Sequence, residues 1–238
     1  SRLTALGRDI QLEFMQIEAS LNAVAEIADN SIIGERRRLA IGIATTIAPV
    51  TTADFWRYVL TQLPVVELQF FPLLPGEAAT EVLSGRYDMC LLTNPPKPNV
   101  KLTTLPIYRE SLRLAMASEH PLARKTEITP VEMSAEPYLD RLHCEFRSTL
   151  IKHFMDRNIV MRPRFHSERE DWVQQMVAIG AGICALPDRS IIVDGIVLRP
   201  VKGLDLSREV SLVAVSGSGN PREVRKILSM ARQFDWSL

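Results

Sequence analysis

Residues Leu39 to Ala44 read LAIGIA, and the two hydroxyl residues Thr45 and Thr46 follow directly. A short, unbroken apolar run of this kind predicts a buried strand. A helix is predicted from Pro49 to Leu63, because proline suits the first turn of a helix. Two further strands are predicted at 65–71 and 87–93, with a helix at 77–84 that Gly85 ends between them. The order β-α-β-α-β predicts a parallel sheet with right-handed crossovers.

A second α/β series begins near Leu112. We expect two Rossmann-like subdomains joined by two crossing strands. Subdomain I comprises residues 37–110 and 209–238, and subdomain II comprises 111–208. The predicted strands are 112–117, 138–142, 164–167, 183–186, 196–201 and 209–215, and the predicted helices are 146–157, 171–179 and 221–234.

The N-terminal segment, residues 1–33, has the pattern of a dimerising helix. Apolar residues recur at alternating spacings of four and three, and polar residues lie between them. This is a heptad-type seam, and a charged breaker at 34–38 separates it from the first strand. A helix so detached from the body is expected to bury its apolar stripe against another chain. The seam residues are Ile10, Phe14, Ile17, Leu21 and Val24.

The composition is that of an ordinary globular protein. Lys plus Arg and Asp plus Glu are both 28, so the formal net charge is zero, which argues against direct nucleic-acid binding by this chain. The three cysteines are far apart and show no metal-ligand spacing. No signal peptide or membrane span is predicted, and a cytoplasmic location is expected. No catalytic motif was found, so we expect no enzyme activity, no cofactor and no metal.

Several motifs, in this order, resemble those of the LysR-type transcription regulators. Leu3 to Gly7 resembles the LTxAG segment that leads into the linker helix of that family. Residues 81–91 are similar to its LxxGxxDxxI pattern, and 114–122 resemble the strand that ends in His-Pro-Leu. Residues 173–187 resemble its VxxGxGxxxLP segment. The match runs through almost the whole chain.

The resemblance implies a type 2 periplasmic-binding-protein-like effector domain with a linker helix. It also implies a homodimer or homotetramer that contacts DNA only through an N-terminal domain absent from this sequence. A small-molecule effector or an oxidant would then be the input.

Polar residues at predicted strand ends are candidates for the effector site. Thr45 and Thr46 precede a predicted helix start, where free N–H groups and hydroxyls suit an anion, although plain N-capping is the alternative. Thr93 and Asn94 follow the third strand, where a turn role is the alternative. The family also places its effector between the subdomains. The expected contacts are Thr45, Thr46, Thr93, Asn94, His143, Cys144 and Glu168, and the expected ligand is polar or anionic.

Cys144 carries a second hypothesis. It lies at a predicted helix start beside His143 and between Arg141 and Arg147, a setting that lowers a thiol pKa and favours oxidation. The segment resembles the region of the reactive cysteine in peroxide-sensing family members, but His153 stands in place of their second cysteine. Redox sensing and simple packing both stay open. A stand-alone solute-binding protein is a further alternative, which the N-terminal helix disfavours.

Overall fold

The computed structural model describes residues 37–74, 78–95, 101–216 and 220–237. It also describes seven residues of the N-terminal segment, all helical: Ile10, Glu13, Phe14, Ile17, Ser20, Leu21 and Val24. The LTxAG-like residues 3–7 and most of the predicted breaker lie outside the described residues. The chain divides into unit 1 (1–44, 52–108 and 209–238) and unit 2 (45–51 and 109–208).

Unit 1 contains the predicted parallel strands. Strand β1 (Arg37–Ala44) pairs in parallel with β2 (Val66–Leu73) and β3 (Met89–Thr93), which confirms the parallel pairing. The later strands β4 (Leu102–Ala117) and β9 (Ser207–Val215) complete the order β2-β1-β3-β9-β4, with β9 antiparallel to β3. Strands β4 and β9 both begin before the predicted positions, and β4 continues from unit 1 into unit 2 at Arg109.

Besides the helical residues of the N-terminal segment, the described part of unit 1 contains the helices α1 (Ala53–Gln62), α2 (Ala78–Leu83) and α6 (Arg222–Gln233). The predicted helix at 49–63 is wrong at its start, because Pro49–Thr51 forms a separate 3-10 turn. Helix α6 buries Val224, Ile227, Leu228 and Ala231, the spacing of one helix face. Its end packs on α1, since the rings of Phe55 and Phe234 are 5.3 Å apart.

The turn before β3 has a clear physical cause. Gly85 ends α2 with a φ of 71°, a conformation that costs glycine little. Asp88 then ties this turn to β1, because its carboxylate accepts a 2.8 Å hydrogen bond from the Ala40 N–H. The spacing of glycine and aspartate seen in the sequence therefore serves the packing of β3 beside β1.

Unit 2 contains the remaining elements. Strands β7 (Cys184–Pro187) and β8 (Ile196–Arg199) pair antiparallel with β4, and β5 (Tyr138–Arg141) pairs in parallel with β6 (Pro163–Ser167). Helices α4 (Arg147–Met155) and α5 (Glu170–Ala178) match two predicted helices to within two residues at each end. Helix α3 (Pro130–Ala135) was not predicted, and a capping box between Thr129 and Glu132 begins it.

Candidate functional site

A buried ion cluster lies in unit 2 around Arg208. Its Nε donates to Glu110 Oε1 at 2.5 Å, and its Nη1 donates to Glu145 Oε1 at 2.5 Å. Two further bonds of 2.9 Å run to Thr46, from Nη1 to the hydroxyl and from Nη2 to the carbonyl oxygen. The fork geometry of a guanidinium suits several planar acceptors at once. The cluster therefore joins the turn at Thr46 to the turn at Glu145.

The members of the cluster differ in exposure. The side chains of Arg208 and Glu110 are 0% and 1% exposed, whereas that of Glu145 is 16% exposed. Burial raises the pKa of the Glu110 carboxyl, and the charge of Arg208 acts in the opposite direction. Two carboxylates face one guanidinium here, so the cluster carries one formal negative charge when all three are ionised.

Thr45 and Thr46 do not lie at an α-helix N-terminus, contrary to prediction. They form a turn, and α1 begins only at Ala53. The Thr46 hydroxyl is used within the cluster, because it accepts from Arg208 and donates to Glu145 Oε1 at 3.4 Å. The Thr45 hydroxyl is buried and has no hydrogen-bond partner among the described residues. A buried hydroxyl without a partner is costly, so this atom is available for a ligand.

His143 and Cys144 lie in the turn that follows β5. His143 Nε2 is 3.7 Å from Glu168 Oε1, and His143 Nδ1 is buried without a partner among the described residues. The bond between Thr46 and Glu145 holds this turn next to the Thr45 turn. Of the seven predicted effector contacts, unit 2 contains Thr45, Thr46, His143, Cys144 and Glu168.

Thr93 and Asn94 belong to unit 1, where Thr93 is the last residue of β3 and Asn94 follows it. Thr93 pairs with Val210 on β9. The Asn94 N–H donates to the Glu209 carbonyl at 2.8 Å, and its side-chain oxygen accepts from the Glu209 N–H at 3.2 Å. The φ of Asn94 is 45°, which asparagine tolerates in turns. These contacts support the turn role that the sequence left as an alternative.

The expectation of a low thiol pKa at Cys144 is wrong in direction. Burial raises the pKa of Cys144, and nearby Arg141 lowers it by a smaller amount. Arg141 Nη1 donates to the sulfur at 3.5 Å, but Arg147 instead binds Asp140. Cys144 also lies ahead of α4 rather than at its start, because the helix begins at Arg147. The sequence does place positive charge beside Cys144, but burial raises the pKa of its thiol more than this charge lowers it.

Sequence reasoning did not select the charged residues that organise this region. Arg208, Glu110 and Glu145 were not singled out, and Arg141 was noted only as a neighbour of Cys144. Arg141 is 1% exposed and binds Glu170 Oε2 at 2.7 Å. Glu110 and Arg208 are charged residues within strands, next to apolar runs, which is the signal that could have indicated them.

The described residues contain neither a metal-ligand cluster nor a membrane-spanning helix. No group of three or more His, Cys, Asp or Glu side chains there is arranged to hold a metal ion. No helix in that part of the chain is long and apolar enough to cross a bilayer.

The chain is similar to several known proteins. It is 22% identical over 186 residues to the hydrogen peroxide-inducible genes activator of Haemophilus influenzae, covering 76% of this chain and 61% of that protein. It is 30% identical over 124 residues to the transcriptional regulator MetR of Escherichia coli, covering 52% of this chain and 39% of MetR. The chain thus spans less than two thirds of the length of either relative.

A solved structure shares the fold. The regulatory domain of Synechocystis CcmR, solved in complex with 2-PG, aligns with a TM-score of 0.71 at 17% identity, covering 83% of this chain and 97% of that domain. This confirms the predicted type 2 periplasmic-binding-protein-like fold. The family described as LysR substrate binding domain matches residues 33–235. The chain therefore belongs to the LysR substrate binding domain family.

Proposed function

We propose that this chain is the effector-sensing region of a longer, DNA-binding transcription regulator, and that a small polar molecule binds beside Thr45 and His143 in unit 2. One observation supports this position for the ligand. The cluster at Arg208 holds two turns together, and each turn presents a buried polar atom that has no hydrogen-bond partner in the described part of the chain, Thr45 Oγ1 and His143 Nδ1. A ligand that binds both atoms removes the cost of leaving them unpaired.

The charge of the cluster limits how an anion can bind. Arg208 is already matched by two carboxylates, and a third would be repelled. Glu145 is the partly exposed partner, so it is the carboxylate that an anionic effector can replace on Arg208 and Thr46. Glu110 is fully buried and stays in place. An anionic effector would thus exchange with Glu145, whereas a neutral polar effector would bind without moving it.

The test is a thermal-shift screen with small carboxylic acids and their neutral amides, followed by calorimetric titration of the hits. Thr45→Ala should weaken the binding of an acid by about 1.5–3 kcal/mol, the usual contribution of a hydrogen bond to a charged group. Thr61→Ala is the matched control, since its exposed hydroxyl donates to the Arg57 carbonyl of α1, in unit 1. Glu145→Gln should tighten the binding of acids and leave that of the amides unchanged. Equal affinity of the wild type and a Thr45→Ala, Thr46→Ala double variant would place the effector elsewhere.

The proposed regulator is a cytoplasmic homodimer or homotetramer that binds DNA through an N-terminal domain outside this sequence. The seam residues Ile10, Phe14, Ile17, Leu21 and Val24 are helical and 47–66% exposed in the single chain, as expected of a surface that a second chain covers. Deleting residues 1–30 should raise the dissociation constant of the oligomer in sedimentation experiments. Identical masses for both forms at every concentration would contradict this role of the seam.

Thiol-based sensing at Cys144 is the second candidate. The observation in its favour is the contact of Arg141 Nη1 with the sulfur, which stabilises a thiolate once it forms. The hydrogen peroxide-inducible genes activator of Haemophilus influenzae is a relative at 22% identity. The other cysteines, Cys90 and Cys184, are buried free thiols. An oxidised Cys144 would end as a sulfenic acid or a mixed disulfide with an external thiol.

A further inference from the structure

A cavity of about 380 Å³ lies within unit 2 along one face of α4. Arg147, Leu150, Ile151, Phe154 and Met155 line it, which is the i, i+3, i+4, i+7, i+8 spacing of a single helix face. From Arg147 to Met155 that face is about 12 Å long, at 1.5 Å per residue. The size is within the usual range of small-molecule pockets.

The cavity changes character from one end of α4 to the other. Polar residues line it near the helix start, where Arg147 binds Asp140 through Nε and Nη2 at 2.7 to 3.1 Å. Apolar residues line it near the helix end, where Met155 and Val160 are 68% and 76% exposed. The exposed apolar end gives an entry route, and the arginines are at the other end.

Two guanidinium groups give the polar end its positive charge. Arg141 is 1% exposed, and its Nη2 is buried without a hydrogen-bond partner among the described residues. Arg147 is 40% exposed, so it contributes charge beside Arg141 rather than a buried donor. Buried N–H donors of a cation are best satisfied by an acceptor that carries negative charge. The start of α4 adds the positive end of the helix dipole to the same place.

We infer that this cavity binds an extended apolar monocarboxylate, such as a free medium-chain fatty acid, with its carboxylate at Arg141 and Arg147 and its chain running along α4 toward Met155. The length of the helix face sets the length of the chain, and the apolar lining excludes a second charge. This site goes beyond the proposed effector site. It shares Cys144 as a lining residue but uses neither Thr45 nor the Arg208 cluster.

Methionine methyl NMR tests the inference directly. Decanoate, kept below its micelle concentration, should shift the ¹³C-methyl signals of Met155 and Met161, which both line the cavity, and the shifts should saturate. The signal of Met89, in the core of unit 1, should not move. Decylamine should bind at least about tenfold more weakly, because its charge opposes the arginines. Affinity should pass through a maximum near decanoate in a series from hexanoate to hexadecanoate.

Two tryptophan variants on the exposed side of α4 provide the control. Ile151→Trp fills the cavity and should abolish the shifts, whereas Lys152→Trp, one residue along and outside the lining, should preserve them. Val160→Trp closes the entry from outside the helix and replaces Ile151→Trp if circular dichroism shows that variant unfolded.

Equal binding of decanoate and decylamine, decanoate shifts that persist in the folded filling variants, or a shift of Met89 would overturn the inference. Thr45→Ala should leave decanoate binding unchanged. The absence of decanoate binding can therefore be distinguished from the absence of ligand binding at the proposed effector site.

Discussion

The interiors of the two units differ in the kinds of side chain that they bury. The centre of unit 1 is aromatic and aliphatic: Phe55 contacts Trp56, Phe234 and Trp236 with ring centroids 4.9 to 5.3 Å apart. The polar residues buried in the described part of unit 1 are Thr52 and Ser211, neither of them charged. Unit 2 buries four charged residues: Glu110, Asp140, Arg141 and Arg208.

This difference assigns the two units different roles: unit 1 is stabilised by apolar packing, and unit 2 contains the charged groups that can bind a ligand. Apolar packing contributes free energy in proportion to the area buried and tolerates exchange between similar side chains. Buried charges depend on each partner, because desolvation costs as much as the pairing returns. A protein that retains four such charges in one unit is expected to use them for recognition. The candidate effector cluster and the cavity along α4 both lie there.

The largest effect is expected when the charge balance of unit 2 is broken. Arg208→Met leaves Glu110 buried without its counter-charge, and the free energy of unfolding should fall by about 3–5 kcal/mol. Urea unfolding followed by circular dichroism measures it. Adding Glu110→Leu to this variant should restore much of the loss, whereas Ser211→Ala in unit 1 should cost less than about 1.5 kcal/mol. A single variant as stable as the wild type would show that unit 2 does not depend on the pair.

One glycine in each unit tests how well that unit's interior accommodates an added methyl group. A Cβ at Gly182 in unit 2 would lie 2.4 Å from the Pro137 carbonyl oxygen, which is backbone and cannot yield easily. A Cβ at Gly42 in unit 1 would lie 2.5 Å from Leu73 Cδ1, the end of a flexible side chain. Gly182→Ala should therefore cost about 2–3 kcal/mol and Gly42→Ala about 1–2 kcal/mol, as overpacking usually does. The reverse order in urea unfolding would mean that the apolar core is the less adaptable one.

The reactivities of the three cysteine thiols provide a further comparison of the two units. Cys90 in unit 1 and Cys184 in unit 2 are fully buried, and burial raises the pKa of Cys90 to about 12. Cys144 is partly exposed and contacts Arg141, although its own pKa is raised. We expect Cys144 to alkylate fastest at pH 7, but more slowly than a free cysteine in a peptide.

Competitive labelling with peptide mapping measures these rates. Labelling of Cys144 that rises steeply only above pH 9 would agree with the raised pKa. A rate no greater than that of Cys90 would remove the redox hypothesis and leave Cys144 as a packing residue.

The smallest effect concerns an exposed capping box in unit 2. Hydrogen bonds from Lys125 and Thr129 lower the pKa of Glu132 from 4.5 to about 2. A carboxyl whose pKa is lower in the folded state contributes stability above pH 4.5 and loses it as the pH falls toward 2. Glu132→Gln should therefore flatten the dependence of the melting temperature on pH across this window. Glu127→Gln, an exposed neighbour, should leave the dependence unchanged.

The order of the elements and the family follow from the amino-acid sequence alone. Apolar runs such as LAIGIA predicted buried strands, and the terminal helix predicted at 221–234 is close to the observed α6 (Arg222–Gln233). These patterns are visible in the sequence because they involve residues that are close together along the chain. The helix α3 was missed because six residues are too few to show a period, although Thr129 and Glu132 carry the spacing of a capping box.

Which charged side chains meet, and how deeply they are buried, depends on the tertiary fold. Arg208 reaches Glu110 across 98 positions and Thr46 across 162, distances at which no sequence pattern links residues. The charges beside Cys144 predicted a low thiol pKa, yet burial raises it. The physical reason is that desolvation depends on everything packed around a group, whereas the sequence displays only its neighbours along the chain.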